Sequence, residues 1–336
     1  MASVYGHRAR LDSGQHGAMT VTAATTRPFR FSLQAVQAES RQAWVELVRR
    51  VDDGGFDMIV TADHLGDGLS PLVPLAVAAG VSDRLRLGVM VLNSDFYHPA
   101  LLARSAATLD LLSDGRLELG LGAGHAQPEY TQVGLTFDAP GTRVERLEEA
   151  AILLRRLLNR EAVTYSGKHY QLTEHRCDPM PLQANVPLLI GGAGRRVHRI
   201  AVRHADAVGF TGAGRTLDHG QHHDPSRYRA DCVDDDVAAV RAAVAPDKPL
   251  PELQVLVQGV AVTDDALGVA QRISHKRLPT LTAADVLSTP YLMIGSTSTL
   301  IDRLVEQRER WGFSHYTVRQ DAVGQLEPVI AALAGT

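Results

Sequence analysis

From Phe29 onward, short apolar runs alternate with longer amphipathic ones, and this alternation constrains the fold more than any other feature of the sequence. The apolar runs are Phe29–Leu33, Phe56–Thr61, Leu85–Leu92, Arg116–Leu121, Pro187–Ile190, Ala207–Thr211, Leu253–Val262 and Ser314–Val318. Each is bounded by Gly, Pro, Asp or Asn, as strands buried on both faces of a parallel sheet are. Between them, Glu39–Asp53 carries Ala43, Val45, Leu47, Val48 and Val51 among charges, and Ala100–Leu112, Arg143–Leu158, Arg195–His204 and Thr297–Arg310 have the same character. These are amphipathic helices. Gly54-Gly55 supplies a stop for the first, and Gly295-Ser296 an N-cap for the last.

Eight such units predict an α/β chain folded as a (β/α)8 TIM barrel. A doubly wound sheet would show a glycine fingerprint directly after its first strand. Here that strand runs into Gln34-Ala35-Val36-Gln37-Ala38, without glycine. Two long connections stand out, after the fourth and sixth strands. Residues 160–186 contain a hairpin pattern (Ala162–Tyr165, Gly167, His169–Leu172), and residues 212–251 are rich in Gly, His, Asp and Pro, with a helix near Asp234–Val244. Long βα loops on a barrel carry specificity. Residues 1–27 are polar and aperiodic and are expected to be an extension outside the fold, with residues 28–336 forming the barrel domain.

Composition excludes several function classes. A formal net charge of −4 gives no footprint for nucleic acid or an anionic membrane. The apolar runs are too short to span a bilayer, and the N-terminus lacks the apolar core of a secretory signal. Two cysteines, Cys177 and Cys232, in no metal-like spacing fit reduced thiols in a cytoplasmic enzyme. The helix pattern Ser70–Val81 is almost wholly apolar, more than one buried stripe requires. It suggests a homodimer contact, or else burial under the N-terminal extension or the 160–186 loop.

Barrel active sites gather at the C-terminal strand ends. There the second strand ends in Thr61-Ala62-Asp63-His64 and the third in Leu92-Asn93-Ser94-Asp95. The fourth ends in Gly120-Leu121-Gly122-Ala123-Gly124-His125 and the fifth in Ile190-Gly191-Gly192-Ala193-Gly194-Arg195. His64 can donate to a ring carbonyl or pass a proton near neutral pH; the plainer reading is a surface histidine. In Leu117–Gly122 the leucines alternate with Glu118, Gly120 and Gly122. With the leucines facing the helices, the glycines leave room for a flat ring; a barrel corner needing small residues is the alternative. The turn Gly191–Arg195 presents backbone N–H groups and a helix N-terminus to an anion, or is only a tight turn. Metal readings of Asp63, His64 and His98, or of His219, His222 and His223, lack supporting spacing, so no metal is assigned.

Several segments together resemble the luciferase-like monooxygenase superfamily. They are Val60-Thr61-Ala62-Asp63-His64, Leu87-Gly88-Val89 with Tyr97-His98-Pro99, and Leu109–Arg116. Leu119–Gly124, Arg143 with Glu148-Glu149, Pro187–Gly192 and Ile294-Gly295-Ser296 continue the series. The resemblance implies a barrel using reduced FMN or the deazaflavin coenzyme F420, and a small-molecule substrate. Asp63-His64 is similar to the F420 branch, where these residues contact the coenzyme headgroup. Met90-Val91 corresponds to a position that the family often gives a non-proline cis peptide, and Asn93 to one that can bond the ring. Implied coenzyme contacts are therefore Asp63, His64, Val91, Asn93, Gly122, Ala123, Gly191, Gly192 and Gly194, with His64 and His125 as catalytic candidates. His125 is a departure, because sugar-phosphate dehydrogenases of this branch carry a glutamate there. The expected function is F420-dependent hydride transfer; an FMN monooxygenase and a non-catalytic flavin-binding barrel are the alternatives. Polar strand ends argue against the last.

Overall fold

In the computed structural model, residues 27–66, 68–212, 216–217 and 222–336 are described, the last-named segments without the side chains of residues 216, 217, 222 and 223. Eight parallel strands close into a barrel: β1 (Arg30–Gln34), β2 (Met58–Thr61), β3 (Arg86–Asn93), β4 (Leu117–Gly122), β5 (Leu188–Gly191), β6 (Ala207–Phe210), β7 (Glu252–Leu256) and β8 (Phe313–Arg319). Each pairs with its neighbours in sequence, and β1 closes on β8 from Arg30↔His315 to Gln34↔Arg319. Around them lie α1 (Arg41–Asp53), α2 (Leu72–Ala79), α3 (Pro99–Leu112), α4 (Pro140–Leu158), α5 (Arg195–His204), α6 (Ala230–Ala243), α7 (Thr297–Trp311) and α8 (Glu327–Leu333). Ser40 and Ser296 cap α1 and α7, accepting from Ala43 N and Thr299 N. Residues 1–26 of the anticipated extension lie outside the described residues, and Arg27 already reaches the barrel, donating to the Leu250 carbonyl.

The leucines of β4 are fully buried toward the helices, as the alternation requires. A Cβ on Gly120 would lie 2.1 Å from the Val89 carbonyl oxygen, and one on Gly122 would lie 2.6 Å from Val91 Cγ2. These glycines therefore admit the backbone and side chains of β3. At the same level the β3–β4 ladder slips between Val89 and Leu92, around a cis Met90–Val91 peptide.

Two expectations about connections need correction. The hairpin strands Ala162–Ser166 and Gln171–Arg176 follow α4, so they belong to a helix-to-strand connection and not to the loop leaving β4. Glu149 accepts from the backbone N–H groups of Lys168, His169 and Tyr170 at 2.8–3.2 Å and holds the hairpin turn along α4. The run Leu253–Val262 is two strands. After Leu256 the chain leaves the barrel at Gln258, and Gly259–Val262 pairs in parallel with Leu292–Gly295, a strand the sequence reading missed. With the helices Ala266–Lys276 and Ala283–Ser288 it encloses a small separate core of Ala270, Leu281, Val286, Leu292 and Ile294. The expected long loop after the sixth strand is present and contains α6.

The N-terminal end of the barrel is plugged by paired charges. Arg30 bridges Glu118 (2.6 Å) and Glu252 (3.0 Å), Arg86 joins Glu118, and His315 lies 3.3 Å from Glu252. Burial alone would lift the Glu252 carboxyl above its ordinary 4.5, but the charges of His315, Arg30 and Arg27 outweigh it and hold it at about 2. Because the folded value is depressed, the stabilisation is complete above the unfolded value and is lost as pH falls from about 4.5 through about 2. That difference corresponds to about 3 kcal/mol. Urea unfolding at pH 7 and pH 3 should show this loss in the wild type, and Glu252→Gln should flatten the dependence. An unchanged pH slope in the variant would remove the assignment.

Candidate active site

The C-terminal mouth of the barrel opens on a cavity of about 380 Å³. Of the residues singled out in the sequence, Asp63, His64, Val91, Asn93, Gly122, Ala123, His125, Gly191 and Gly192 line it together, and Gly194 lies just beyond, at the N-cap of α5. The sequence placed them on four different strand ends; barrel closure makes them neighbours.

His64 follows β2, with about half its side chain exposed. Its Nδ1 lies 2.7 Å from Glu129 Oε1, in the short helix Gln127–Gln132 above β4. A carboxylate on Nδ1 fixes the ring orientation and makes Nε2 the proton-accepting nitrogen of the neutral imidazole. His125 stands edge-on to it, ring centroids 5.6 Å apart. The two rings therefore stand side by side on one rim of the cavity.

Asp63 lines the cavity with its carboxylate engaged within the protein. Its Oδ2 accepts from Asn93 N (2.9 Å) and its Oδ1 from Tyr97 Oη (3.2 Å). Burial raises its pKa, against the pull of these bonds and of His64. The carboxylate ties β2 to the end of β3 and so positions Asn93. Asn93 Oδ1 in turn accepts from Tyr130 Oη (3.1 Å) and Asp95 N (3.2 Å). His98, a member of the metal alternative, caps α3 by accepting from Ala100 N. The side chains of His219, His222 and His223 lie outside the described residues.

The glycine turn after β5 also differs in detail. Gly192 N–H donates to the Gly209 carbonyl at 3.2 Å, so this amide serves the barrel. Gly194 caps α5 with no side-chain bond, leaving the first-turn N–H groups of that helix to an outside acceptor. Gly192 and Gly194 have φ of +147° and +95°, values that side chains rarely tolerate.

Sequence reasoning missed Gln34, Glu129, Arg143, Tyr228, Gln258 and Arg319, which line the same cavity. Arg143 is buried, stacks 3.9 Å over Phe137 and donates to the Gly124 carbonyl at 2.9 Å. Gln34 and Arg319 sit one residue past the apolar runs read as strands, where polarity was itself the available signal.

A closed parallel barrel with a glycine-lined half and a histidine rim at its C-terminal mouth defines a TIM-barrel protein. Residues 15–315 match the luciferase-like monooxygenase family, and the chain belongs to it. It is similar to proteins named F420-dependent glucose-6-phosphate dehydrogenase from Kineococcus radiotolerans (34% identical over 177 residues, 50% of this chain and 52% of the relative) and Microbacterium testaceum (34% over 163 residues, 46% and 48%). The chain thus spans about half the length of the curated relatives it matches. Its fold resembles an F420-dependent secondary alcohol dehydrogenase in complex with an F420–acetone adduct (TM-score 0.69, 17% identity, 90% of this chain and 97% of the other). A type II Baeyer–Villiger monooxygenase with FMN is similar too (TM-score 0.66, 15% identity, 90% and 95%).

Proposed function

We propose that this protein is an F420-dependent oxidoreductase that transfers a hydride between the deazaflavin C5 and a small organic substrate. The observation that carries the reading is the His64–His125 pair, braced by Glu129, on the rim of a cavity lined by Val91, Gly122 and Gly191. The similarity to F420-dependent dehydrogenases points to the deazaflavin rather than to FMN.

The residues present fit such a group. Val91, Gly122, Ala123 and Gly191 would back the flat ring, since together they line one wall of the cavity. Asn93 would bond the ring edge, with Asp63 holding it in place. The open amides at the start of α5, beside Gly192 and Gly194, would take the phosphate. When bound, the coenzyme supplies the hydride-accepting or hydride-donating carbon. His64 Nε2 moves a proton to or from the substrate or polarises the ring, and Glu129 stabilises the imidazolium that results. His125 shares that proton or serves the substrate directly. Absorbance and fluorescence titration with F420 and FMN, oxidised and reduced, tests the assignment. F420 binding without FMN binding is expected, and preference for reduced FMN with oxygen uptake would replace it by the monooxygenase. Failure to bind either coenzyme would overturn both readings.

The protein is further proposed to be a cytoplasmic homodimer. Cys177 and Cys232 are unpaired, which suits a reducing compartment, and no described helix is long and apolar enough to cross a membrane. Val73 on α2 is 66% exposed, and Leu101 and Leu112 on the adjoining α3 are 59% and 67% exposed. The hairpin, the cover considered for them within residues 160–186, packs its turn along α4. A dimeric mass is expected by light scattering at micromolar protein; a monomeric mass there would exclude it.

A further inference from the structure

Across the mouth from the glycine-lined half, the last barrel strand ends in a cation without a carboxylate partner. Arg319 closes β8 and lines the cavity. Its Nη1 donates to Gln34 Oε1 at the end of β1, and its Nη2 to Gln258 Oε1 just beyond β7, the latter at 2.6 Å. Both glutamines are fixed in turn: Gln34 Nε2 donates to the Met90 carbonyl at 2.6 Å, and Gln258 Nε2 to the Thr211 carbonyl at 2.9 Å. The guanidinium is thus clamped by neutral acceptors, and it forms no ion pair among the described residues. Arg30 and Arg146 are treated differently. Arg30 meets Glu118 and Glu252, and Arg146 meets Asp95 and Asp138.

Burial draws the Arg319 pKa below its ordinary value, with Tyr228 and Asp321 acting the other way. Asp321, two residues on, is exposed. A guanidinium nevertheless stays protonated at neutral pH, and a desolvated charge is costly unless something compensates it. Among the described residues the protein supplies it with oriented glutamines and no carboxylate in ion-pairing reach. Arg319 borders the cavity in the half of the mouth formed by β1, β7 and β8, opposite the strands proposed to hold the ring.

We infer that Arg319, clamped between Gln34 and Gln258, binds a carboxylate group of the substrate, so that the enzyme acts on small organic acids. This rests on the proposed placement of the coenzyme in the glycine-lined half. One planar fork of single charge, flanked by neutral side chains, matches a carboxylate. A phosphate dianion would call for a second cation, and the other arginine of the cavity, Arg143, is held over Phe137 and against the Gly124 carbonyl in the loop after β4.

The test is calorimetric titration of the full chain with benzoate and cyclohexanecarboxylate, their neutral amides benzamide and cyclohexanecarboxamide, and inorganic phosphate, each with and without saturating F420. The carboxylates should bind at least tenfold more tightly than the amides and than phosphate. Arg319→Gln should weaken carboxylate binding roughly 10- to 100-fold, the range for losing a hydrogen bond to a charged group, while F420 affinity shifts less than threefold. Gln258→Glu keeps the arginine and supplies an internal carboxylate, and it should abolish the preference in the same way. Equal binding of acids and amides by the wild type overturns the inference without any variant. So does a preference for phosphate, or a loss of F420 affinity in Arg319→Gln as large as the loss for carboxylates, which would assign the arginine to the coenzyme. If the wild type selects carboxylates but binds no F420, the anion site stands and the proposed function falls. If F420 binds and acids and amides are not distinguished, the reverse holds.

Discussion

Replacing His64 with alanine is expected to slow single-turnover hydride transfer roughly 100- to 10,000-fold while coenzyme affinity changes much less. The range corresponds to about 3 to 5 kcal/mol of transition-state stabilisation. The expectation follows from geometry. His64 is bonded through Nδ1 to Glu129 at 2.7 Å, and its ring meets His125 at 5.6 Å, so its free nitrogen works beside a second imidazole. His125→Ala should resemble His64→Ala if His125 is the substrate's proton donor. If it only packs against substrate, its loss should appear in apparent binding. Where the two share one proton, the double variant will be little worse than the poorer single one. Near-wild-type rates in both single variants would show that neither histidine is catalytic.

Gly192→Val should weaken coenzyme binding by well over tenfold while the barrel remains folded. Two physical effects combine. A φ of +147° is closed to a β-branched residue, so the turn must rotate, and the new side chain would approach Val197 Cγ1, only 3.3 Å from its Cβ. Val197 lies in the first turn of α5 and lines the cavity, so the displacement falls on the proposed phosphate cradle. Fluorescence titration gives the affinity, and circular dichroism separates this outcome from unfolding. Unchanged affinity in a folded variant would move the phosphate elsewhere.

Much of this architecture was legible in the sequence because strand and helix periods differ and because barrel strands are apolar on both faces. The eight strands, the hairpin and the helix Arg195–His204 follow from that pattern. What escaped it shares a cause. Gln34 and Arg319 end β1 and β8, where side chains leave the core for the mouth, so an apolar criterion stopped one residue short of each. Gln258 was absorbed into the run Leu253–Val262, because hydrophobicity does not record a change of pairing partner. Glu129 gave no periodic signal, since its six-residue helix is placed by the loop above β4. Asp63 was singled out correctly as a site residue, yet its bonds to Asn93 N and Tyr97 Oη depend on a β2–β3 contact that one strand's sequence cannot express.

The two ends of the barrel treat charge in opposite ways, and this bears on how such a chain can change. At the floor, Arg30, Arg86, Glu118, Glu252 and His315 satisfy one another, so a substitution there alters how firmly the cylinder holds together. At the mouth, Arg143 and Arg319 meet no acidic partner among the described residues, and a substitution there alters what the cylinder can hold. Durability and chemistry are thus written in separate rings of the same strands, more than one side chain's reach apart. An evolving lineage can rewrite the upper ring for a new compound while the lower one keeps the barrel standing.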